Sequence, residues 1–240
     1  MNTAESLGNG AGLGARPAIQ FHDAAGHRSF GSYLRWLEQS GAQTKQEWQE
    51  FVNCLTTNLT AFFREQHHFP VFGTELIKHT SRRTQIWCKA ASTGEEPYSL
   101  AITVIEALGS NADVEITCSD IDTKVLAKAA GGVYPAESRG GLSPGRLRQH
   151  FLRGKGVNSG TIRVKRELQR LVEFRAFNLM DARWSLGEPF EIGFCCNVMI
   201  YCDAAPRARG HASRVAPARL AVCWSLGKCF RVGRSVSPAR

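Results

Sequence analysis

Apolar residues recur with helical spacing in the first third of the chain. Four of them fall at positions i, i+3, i+4 and i+7, which predicts one helix over about residues 44–55. Its apolar positions are Trp48, Phe51, Val52 and Leu55. Pro70 suits the first turn of a following helix, because proline is favoured there. The apolar positions of that second helix are Val71, Leu76 and Ile77.

From Thr84 the pattern alternates between strands and helices. Thr84–Ala90 predicts a short buried strand, and a helix follows with Pro97 in its first turn. Val114–Ser119 predicts a second strand, followed by a helix through Leu126, and Phe190–Cys195 predicts a further core strand. This alternation predicts an α/β fold with a parallel sheet and helices on both faces.

Residues 150–176 interrupt the alternation. Thr161–Val164 and Leu171–Phe174 follow a glycine-rich stretch and predict paired antiparallel strands, inserted into the α/β unit. At the other end of the chain, residues 1–28 are rich in glycine and alanine without a sustained period. We therefore expect a loose, disordered leader there.

The net charge of +9 is concentrated at one end of the chain. Residues 204–240 contain seven arginines, Lys228 and no acid, so they carry +8 and leave +1 for residues 1–203. Because residues 1–203 are nearly neutral, they lack the positively charged surface that binds nucleic acid. The sequence has no run of 18 apolar residues and no apolar signal segment at its start. We therefore expect a cytoplasmic protein that does not insert into a membrane.

The cysteines and histidines do not indicate a metal site. The eight cysteines form no CxxC pair and no set with ligand spacing, so we expect free thiols and no metal. His67 and His68 are adjacent, and neighbouring side chains point in different directions. We therefore expect local packing for these two histidines.

Informative polar residues stand at the predicted carboxyl ends of three strands, where open α/β sheets bind ligands. The turn AASTGEE (90–96) ends the first strand, Asp120 ends the second, and Asn197 with Tyr201 follows the third. The chain has neither GxGxxG nor a Walker lysine, and the acids disfavour phosphate. Each residue alone is more commonly a helix cap or a turn acid. Together they predict a site for a positively charged nucleoside without phosphate, which S-adenosylmethionine fits.

Four segments resemble the CheR-type chemoreceptor methyltransferases: LTTNLTAFFRE with HHFP (55–70), AASTGEEPYS (90–99), SDIDTKVLAKA (119–129) and NVMIY (197–201). The resemblance covers about residues 30–203. It implies methyl transfer from S-adenosylmethionine to glutamate side chains of bacterial chemoreceptors. It also implies a Rossmann-like methyltransferase domain with a small β insert, preceded by a helical domain. The expected division is a leader (1–28), a partial helical domain (29–66), a methyltransferase domain (67–203) and a basic tail (204–240).

The resemblance also implies roles for individual residues. Arg64 and Tyr201 are the implied catalytic residues, which would orient the carboxylate of the substrate. The implied cofactor-binding residues are Asn58, Thr60, Arg64, Glu96, Asp120, Asn178, Leu179, Cys196 and Asn197. The implied partners are the cytoplasmic domains of methyl-accepting chemoreceptors, with S-adenosylhomocysteine as the cofactor product. In some family members the β insert binds a C-terminal receptor peptide.

The sequence departs from the family in three places. The family has more helix before residue 30, and it usually has arginine where this chain has Cys196. After Asp203 the resemblance stops. Codons allowed for Leu220–Phe230, when translated one base later, can spell WLFVGHSENV, which contains a Gly-His-Ser-Glu-Asn segment of the family. We therefore hypothesise a change of frame near residue 203. We also expect a sheet that lacks its last strands, a floppy tail, poor stability and weak activity.

Two other functions remain open at the level of sequence. One is a receptor-binding module that keeps the β insert and has lost catalysis. The other is an arginine-rich tail that binds nucleic acid or membrane, although that tail has no helical charge pattern. We expect a monomeric methyltransferase that does not bind nucleic acid.

Overall fold

The computed structural model describes residues 26–27, 29–39, 41–78, 83–179, 190–196, 220–225 and 228–232. The predicted leader therefore lies outside the described residues, except for Gly26 and His27. The described chain forms two compact units. The smaller unit contains the residues up to Asn58 together with Asp122–Lys124, and the larger unit contains the rest.

Two helices form the smaller unit, α1 (Phe30–Leu37) and α2 (Ala42–Leu55). Ser29 caps α1 in a capping box: its hydroxyl accepts the amide of Ser32, and its own amide donates to the Ser32 hydroxyl. The buried core of this unit consists of Tyr33, Leu37 and Phe51.

The helix predicted over 44–55 is confirmed as α2, but its predicted apolar face is wrong in part. Phe51 is buried, whereas Trp48 and Leu55 are each about half exposed, at 46% and 49%. Asn53 is buried instead, because its side chain exchanges hydrogen bonds with Thr123. A polar partner distant in the sequence therefore sets which side of α2 is covered.

The larger unit is built on a sheet with the strand order β6-β2-β1-β7-β8-β9. All neighbours in it are parallel except β8 and β9. Its strands are β1 (Thr84–Lys89), β2 (Val114–Asp120), β6 (Val172–Ala176), β7 (Ile192–Cys196), β8 (Leu220–Ser225) and β9 (Lys228–Val232). The predicted α/β class and parallel sheet are confirmed.

Helices alternate with these strands along the chain. They are α3 (His68–Lys78), α4 (Glu95–Leu108), α5 (Thr123–Gly131), α6 (Pro144–His150) and the short α7 (Arg166–Gln169). The helix predicted around Pro70 is confirmed as α3, but Val71 and Ile77 are exposed. Phe69 and Phe72 are buried in their place, because both rings pack on Phe194 of β7.

A second, antiparallel sheet forms the insert, with the order β3-β5-β4. Its strands are β3 (Val133–Pro135), β4 (Phe151–Arg153) and β5 (Thr161–Val164), with a 3-10 turn at Gly156–Asn158. The predicted pairing of Thr161–Val164 with Leu171–Phe174 is wrong. Leu168 and Leu171 anchor the chain in the main core between them, and β6 then pairs in parallel with β2. The insert therefore spans about residues 133–164.

The C-terminal segments also differ from the prediction. β8 pairs in parallel with β7, with Ile192 opposite Leu220, and β9 returns antiparallel to β8. The expected sheet without its last strands is therefore wrong for these residues, and the expected floppy tail is wrong for them too. Residues 220–225 and 228–232 extend the sheet and do not form a separate basic arm.

Candidate functional site

The carboxyl ends of four parallel strands meet at one edge of the main sheet. Lys89 of β1 is in register with Ser119 of β2, and Asp120 is in register with Ala176 of β6. β7 runs in the same direction beside β1. The residues that follow β1 and β2 therefore share one edge, as the sequence predicted.

A tight turn follows β1 over residues 90–94. Ala90 and Ser92 adopt positive φ angles of 50° and 47°. The Ala91 amide donates to the Ser119 carbonyl over 2.9 Å. The Ser92 amide donates to Oδ2 of Asp120 over 2.8 Å. Such conformations cost about 1–3 kcal/mol each and persist where neighbouring contacts fix them. Here the end of β2 fixes the turn.

Gly94 closes this turn and precedes α4. Its φ is +95°, and a Cβ atom there would lie 2.8 Å from both the Ala129 Cβ and the Tyr134 hydroxyl. The Tyr134 hydroxyl donates to the Thr93 carbonyl over 2.8 Å. The start of α4 is therefore pressed against α5 and the insert, and only glycine fits there.

Two acidic residues begin α4. Glu95 is 7% exposed, and its Oε2 accepts the Thr93 hydroxyl over 2.6 Å. Glu96 is partly buried, and its Oε1 accepts the Cys88 thiol over 3.5 Å. Carboxylates at a helix N-terminus are stabilised by the helix dipole. The resemblance implies Glu96 alone, whereas the burial of Glu95 makes both carboxylates candidates. The sequence feature that could have indicated a role for Glu95 is Thr93, whose hydroxyl group lies two residues before it in the chain.

Asp120 and Asp122 have different environments although they are two residues apart. Asp120 is 8% exposed and holds the Ser92 amide, and its carbonyl accepts the Phe177 amide over 2.8 Å. In the smaller unit, Asp122 accepts the Asn58 side-chain amide over 2.9 Å and the Lys124 backbone amide over 2.9 Å. Asp122 thus caps α5, and Asn58 is directed at Asp122.

Arg64 lies in a turn between Leu59 and α3. Its guanidinium is exposed, and Nη1 donates to the Leu59 carbonyl over 2.7 Å. The neighbouring Phe63 is buried with φ at 50°, and its amide donates to the Ser99 hydroxyl of α4 over 3.0 Å. The turn is therefore anchored on α4. Thr60, also in this segment, is partly buried.

The remaining predicted residues follow β6 and β7. Asn178 and Leu179 are partly buried and come directly after Phe177, whose ring meets Trp87 edge-on at 5.8 Å. Cys196 is the last residue of β7. Asn197 and Tyr201 lie outside the described residues.

The histidine pair packs locally. His68 is buried, and its ring centroid lies 4.1 Å from that of His67. Burial, and then the nearby His67, lower the pKa of His68 to about 4. Among the described residues no group of three or more His, Cys, Asp or Glu side chains could hold a metal ion. Cys54, Cys88 and Cys118 are free thiols.

In the part of the chain that the structure describes, no helix is both long enough and apolar enough to span a bilayer.

A largely parallel sheet with an acid at the end of β2, and a turn without a phosphate-binding motif after β1, is the arrangement of a Rossmann-like nucleoside-binding domain. Residues 58–211 match the family described as "CheR methyltransferase, SAM binding domain". The match covers more than half of the chain, so the protein belongs to this family. The predicted family and the predicted cofactor, S-adenosylmethionine, are both confirmed.

Similar proteins come from several bacteria. The chain is 48% identical over 184 residues to the chemotaxis protein methyltransferase of Salmonella typhimurium, with 75% of this chain and 62% of the relative covered. It is 50% identical over 186 residues to chemotaxis protein methyltransferase 2 of Pseudomonas aeruginosa, with 75% and 64% covered. It is 47% identical over 182 residues to the Escherichia coli enzyme, with 74% and 62% covered. The chain thus spans less than two thirds of these relatives.

Proposed function

We propose that the protein transfers the methyl group of S-adenosylmethionine to glutamate side chains of bacterial chemoreceptors, forming glutamyl methyl esters in chemotaxis adaptation. The observation that carries the proposal is the turn after β1, which is held by the carboxylate of Asp120. Family membership and three relatives named chemotaxis protein methyltransferases support the same function. Because the substrates are cytoplasmic receptor domains, we also propose a cytoplasmic, monomeric protein.

The residues at the sheet edge fit this cofactor by their chemistry. Asp120 presents a carboxylate at a strand end, where it would accept the ribose hydroxyls. Glu95 and Glu96 would attract the ammonium group, and the three acids together disfavour a phosphate-bearing ligand. By the resemblance, the other proposed cofactor contacts are Asn58, Thr60, Arg64, Asn178, Leu179, Cys196 and Asn197.

The reaction requires little acid–base assistance from the protein. S-adenosylmethionine supplies a methyl group on a sulfonium, which a carboxylate oxygen displaces in line with the carbon–sulfur bond. A substrate glutamate is already ionised at neutral pH, so no general base is needed. The work of the protein is therefore to align the carboxylate and to exclude water.

Arg64 is the proposed residue for that alignment. Its guanidinium is exposed and can receive a carboxylate with two parallel hydrogen bonds. The chain next to it is buried and anchored to α4, so the guanidinium is carried by a fixed backbone. Tyr201 is the proposed second donor to the same carboxylate.

The direct test uses radiolabelled S-adenosylmethionine and membranes that contain chemoreceptors. We expect incorporation of methyl groups that base releases as methanol, as esters require, and strongly reduced but still measurable incorporation in Arg64→Ala. The alternative is a receptor-binding module without catalysis, which Cys196 in place of the usual family arginine favours. Binding of cofactor and receptor by the unmodified protein without any incorporation would establish that alternative.

The β insert supports a second part of the proposal, which is binding of a C-terminal receptor peptide. Its groove has a volume of about 460 Å³ and combines apolar side chains with Arg139, Arg148 and Arg153. β4 is an edge strand of the insert and can pair with an added strand. We therefore expect binding of a peptide with acidic and aromatic residues, and about tenfold weaker binding by Arg148→Met, because a charged hydrogen bond is lost.

A further inference from the structure

One guanidinium connects three elements next to the Arg64 turn. Arg146, on helix α6, places its Cζ 3.9 Å from the centre of the Phe63 ring. The same group forms two hydrogen bonds with Glu106 of α4, from Nε to Oε1 over 2.8 Å and from Nη2 to Oε2 over 2.7 Å. Arg146 thus joins the insert, the helix that begins at the proposed cofactor site, and the turn that carries Arg64.

The contact with Glu106 fixes the guanidinium in space. Both side chains are about one third exposed, and the two parallel hydrogen bonds hold the guanidinium plane in one orientation. A lysine ammonium could not reproduce this fork or lie flat on an aromatic ring. The orientation therefore depends on arginine and not only on positive charge.

Phe63 needs such a contact because its backbone is strained. Its φ is +50°, a backbone conformation that residues other than glycine rarely adopt. The Ser99 hydroxyl holds the amide of Phe63, and the Gly141 amide donates to the Phe62 carbonyl over 2.7 Å. A Cβ atom at Gly140 would lie 2.7 Å from the same carbonyl. The backbone is thus held from two sides, and Arg146 covers the ring.

We propose that Arg146 is a positioning residue for Arg64: by stacking on Phe63 while paired to Glu106, it keeps the left-handed turn that directs the Arg64 guanidinium. The role of Arg64 toward substrate rests on the proposed function. The effect of Arg146 on the Phe63 backbone rests on the contacts alone. The two parts can therefore be tested separately.

Amide hydrogen exchange of the isolated protein tests the structural part. In Arg146→Met we expect the Phe63 amide to exchange about tenfold faster, while the amides of β1 keep their protection. The matched control is Arg83→Met, which removes an arginine paired with Glu115 over 2.5 Å at the opposite ends of the strands. This control leaves the Phe63 amide unchanged. An unchanged Phe63 amide in Arg146→Met would overturn the proposal.

Kinetics test the consequence for Arg64. We expect Arg146→Met to lower kcat about tenfold. Because Arg64 is also a proposed cofactor contact, calorimetry should show a smaller loss of affinity for S-adenosylhomocysteine than the loss in kcat. In an Arg64→Ala background the same substitution has no further effect, because the group that it positions is gone. Arg146→Lys keeps the positive charge but cannot form the two parallel hydrogen bonds with Glu106, so it shows most of the decrease in kcat. Equal losses from Arg146→Met with and without Arg64 would show a structural role and overturn the proposal.

The two possible failures are distinguishable. If the unmodified protein methylates no receptor, the proposed function fails, and hydrogen exchange still decides whether Arg146 fixes the turn. If the unmodified protein is active and Arg146→Met retains its kcat, only the positioning role fails.

Discussion

The backbone amide of Ser92 donates a 2.8 Å hydrogen bond to Oδ2 of Asp120, and so links the turn after β1 to the end of β2. Asp120 is 8% exposed, so its carboxylate holds this turn from within the protein. The proposed cofactor ligand is therefore also the side chain that shapes the turn after β1. Asp113, at the other end of β2, is an exposed acid suited to serve as a control.

We expect Asp120→Asn to weaken the binding of S-adenosylhomocysteine about tenfold to a hundredfold, because hydrogen bonds to a charged group contribute about 1.5–3 kcal/mol. Asparagine retains one oxygen that can accept the Ser92 amide, so the turn should survive. Calorimetric titration measures the affinity, and Asp113→Asn should bind as the unmodified protein does. Equal affinities of the two variants would contradict the assignment of Asp120.

The two acids at the start of α4 differ in burial and partner, and binding should differ accordingly. Glu95 is the more buried and faces the Thr93 hydroxyl, whereas Glu96 contacts the Cys88 thiol beside β1. We expect Glu95→Gln to weaken cofactor binding more than Glu96→Gln, because a buried charge is less screened by water. Titration of both variants with S-adenosylhomocysteine decides the order. A larger loss in Glu96→Gln would support the assignment of Glu96 alone that the resemblance implies.

Gly94 is predicted to be irreplaceable for reasons of both conformation and space. Alanine there would adopt φ near +95° and place Cβ 2.8 Å from Ala129 and Tyr134. Gly160 has a similar φ of +83° but open space around it. We expect Gly94→Ala to lower the free energy of unfolding by about 1–3 kcal/mol more than Gly160→Ala, which is the typical cost of overpacking. Urea unfolding measures both variants, and equal losses would show that crowding is unimportant.

The strand ends could be predicted from sequence because local residues mark them. β1 and β2 are short apolar runs followed by a glycine-containing turn and by Asp120, so their direction and their common edge followed from the α/β alternation. The pairing of Leu171–Phe174 could not be predicted in this way. A short apolar strand does not specify its partner, and here burial of Leu168 and Leu171 in the main core determined it.

The buried faces of helices were less predictable than the helices themselves. Helical spacing pointed to Val71 as a core position, whereas the position of Phe194 on β7 selects Phe72 instead. The hydrogen-bond partners of Asn58 and Phe63 could not be predicted from the sequence either. Asn58 bonds Asp122, which is 64 residues away in the sequence, and Phe63 bonds Ser99, which is 36 residues away.

His150 makes stability depend on pH. It is fully buried, and burial lowers its pKa, with Glu167 at 3.6 Å from Nδ1 as the main opposing influence. The folded protein therefore keeps His150 neutral, while the unfolded chain takes up a proton below pH about 6.5. The unfolded state then binds more protons, so stability falls as pH decreases from about 6.5 toward the folded pKa. His68, with a pKa of about 4, acts in the same direction.

We expect His150→Gln to flatten this pH dependence, because glutamine does not titrate. Glu167→Gln should make it steeper, because loss of the carboxylate further disfavours a charged His150. Urea unfolding at several pH values between 7.5 and 4.5 measures both slopes. Identical slopes in all three proteins would exclude His150 as the cause.

The DNA sequence of the gene tests the hypothesis that the reading frame changes near residue 203. We expect the genomic DNA, translated one base later across residues 220–230, to encode the segment GHSEN. A genomic sequence that does not encode GHSEN in that frame would refute the hypothesis. The pairing of β8 with β7 concerns the chain as it stands and is independent of that result.

The two C-terminal strands should stabilise the protein through the edge that they cover. β7 carries the buried Phe194 and lies between β1 and β8, so a protein cut after Asp203 exposes one whole edge of β7. An unpaired, apolar edge strand promotes association with other chains. We expect this truncated protein to unfold at lower urea concentration and to scatter light at concentrations where the full chain is monodisperse. A control cut after Val232 retains β8 and β9 and should behave as the full chain. If both cuts leave the unfolding midpoint unchanged, the strands contribute nothing to stability.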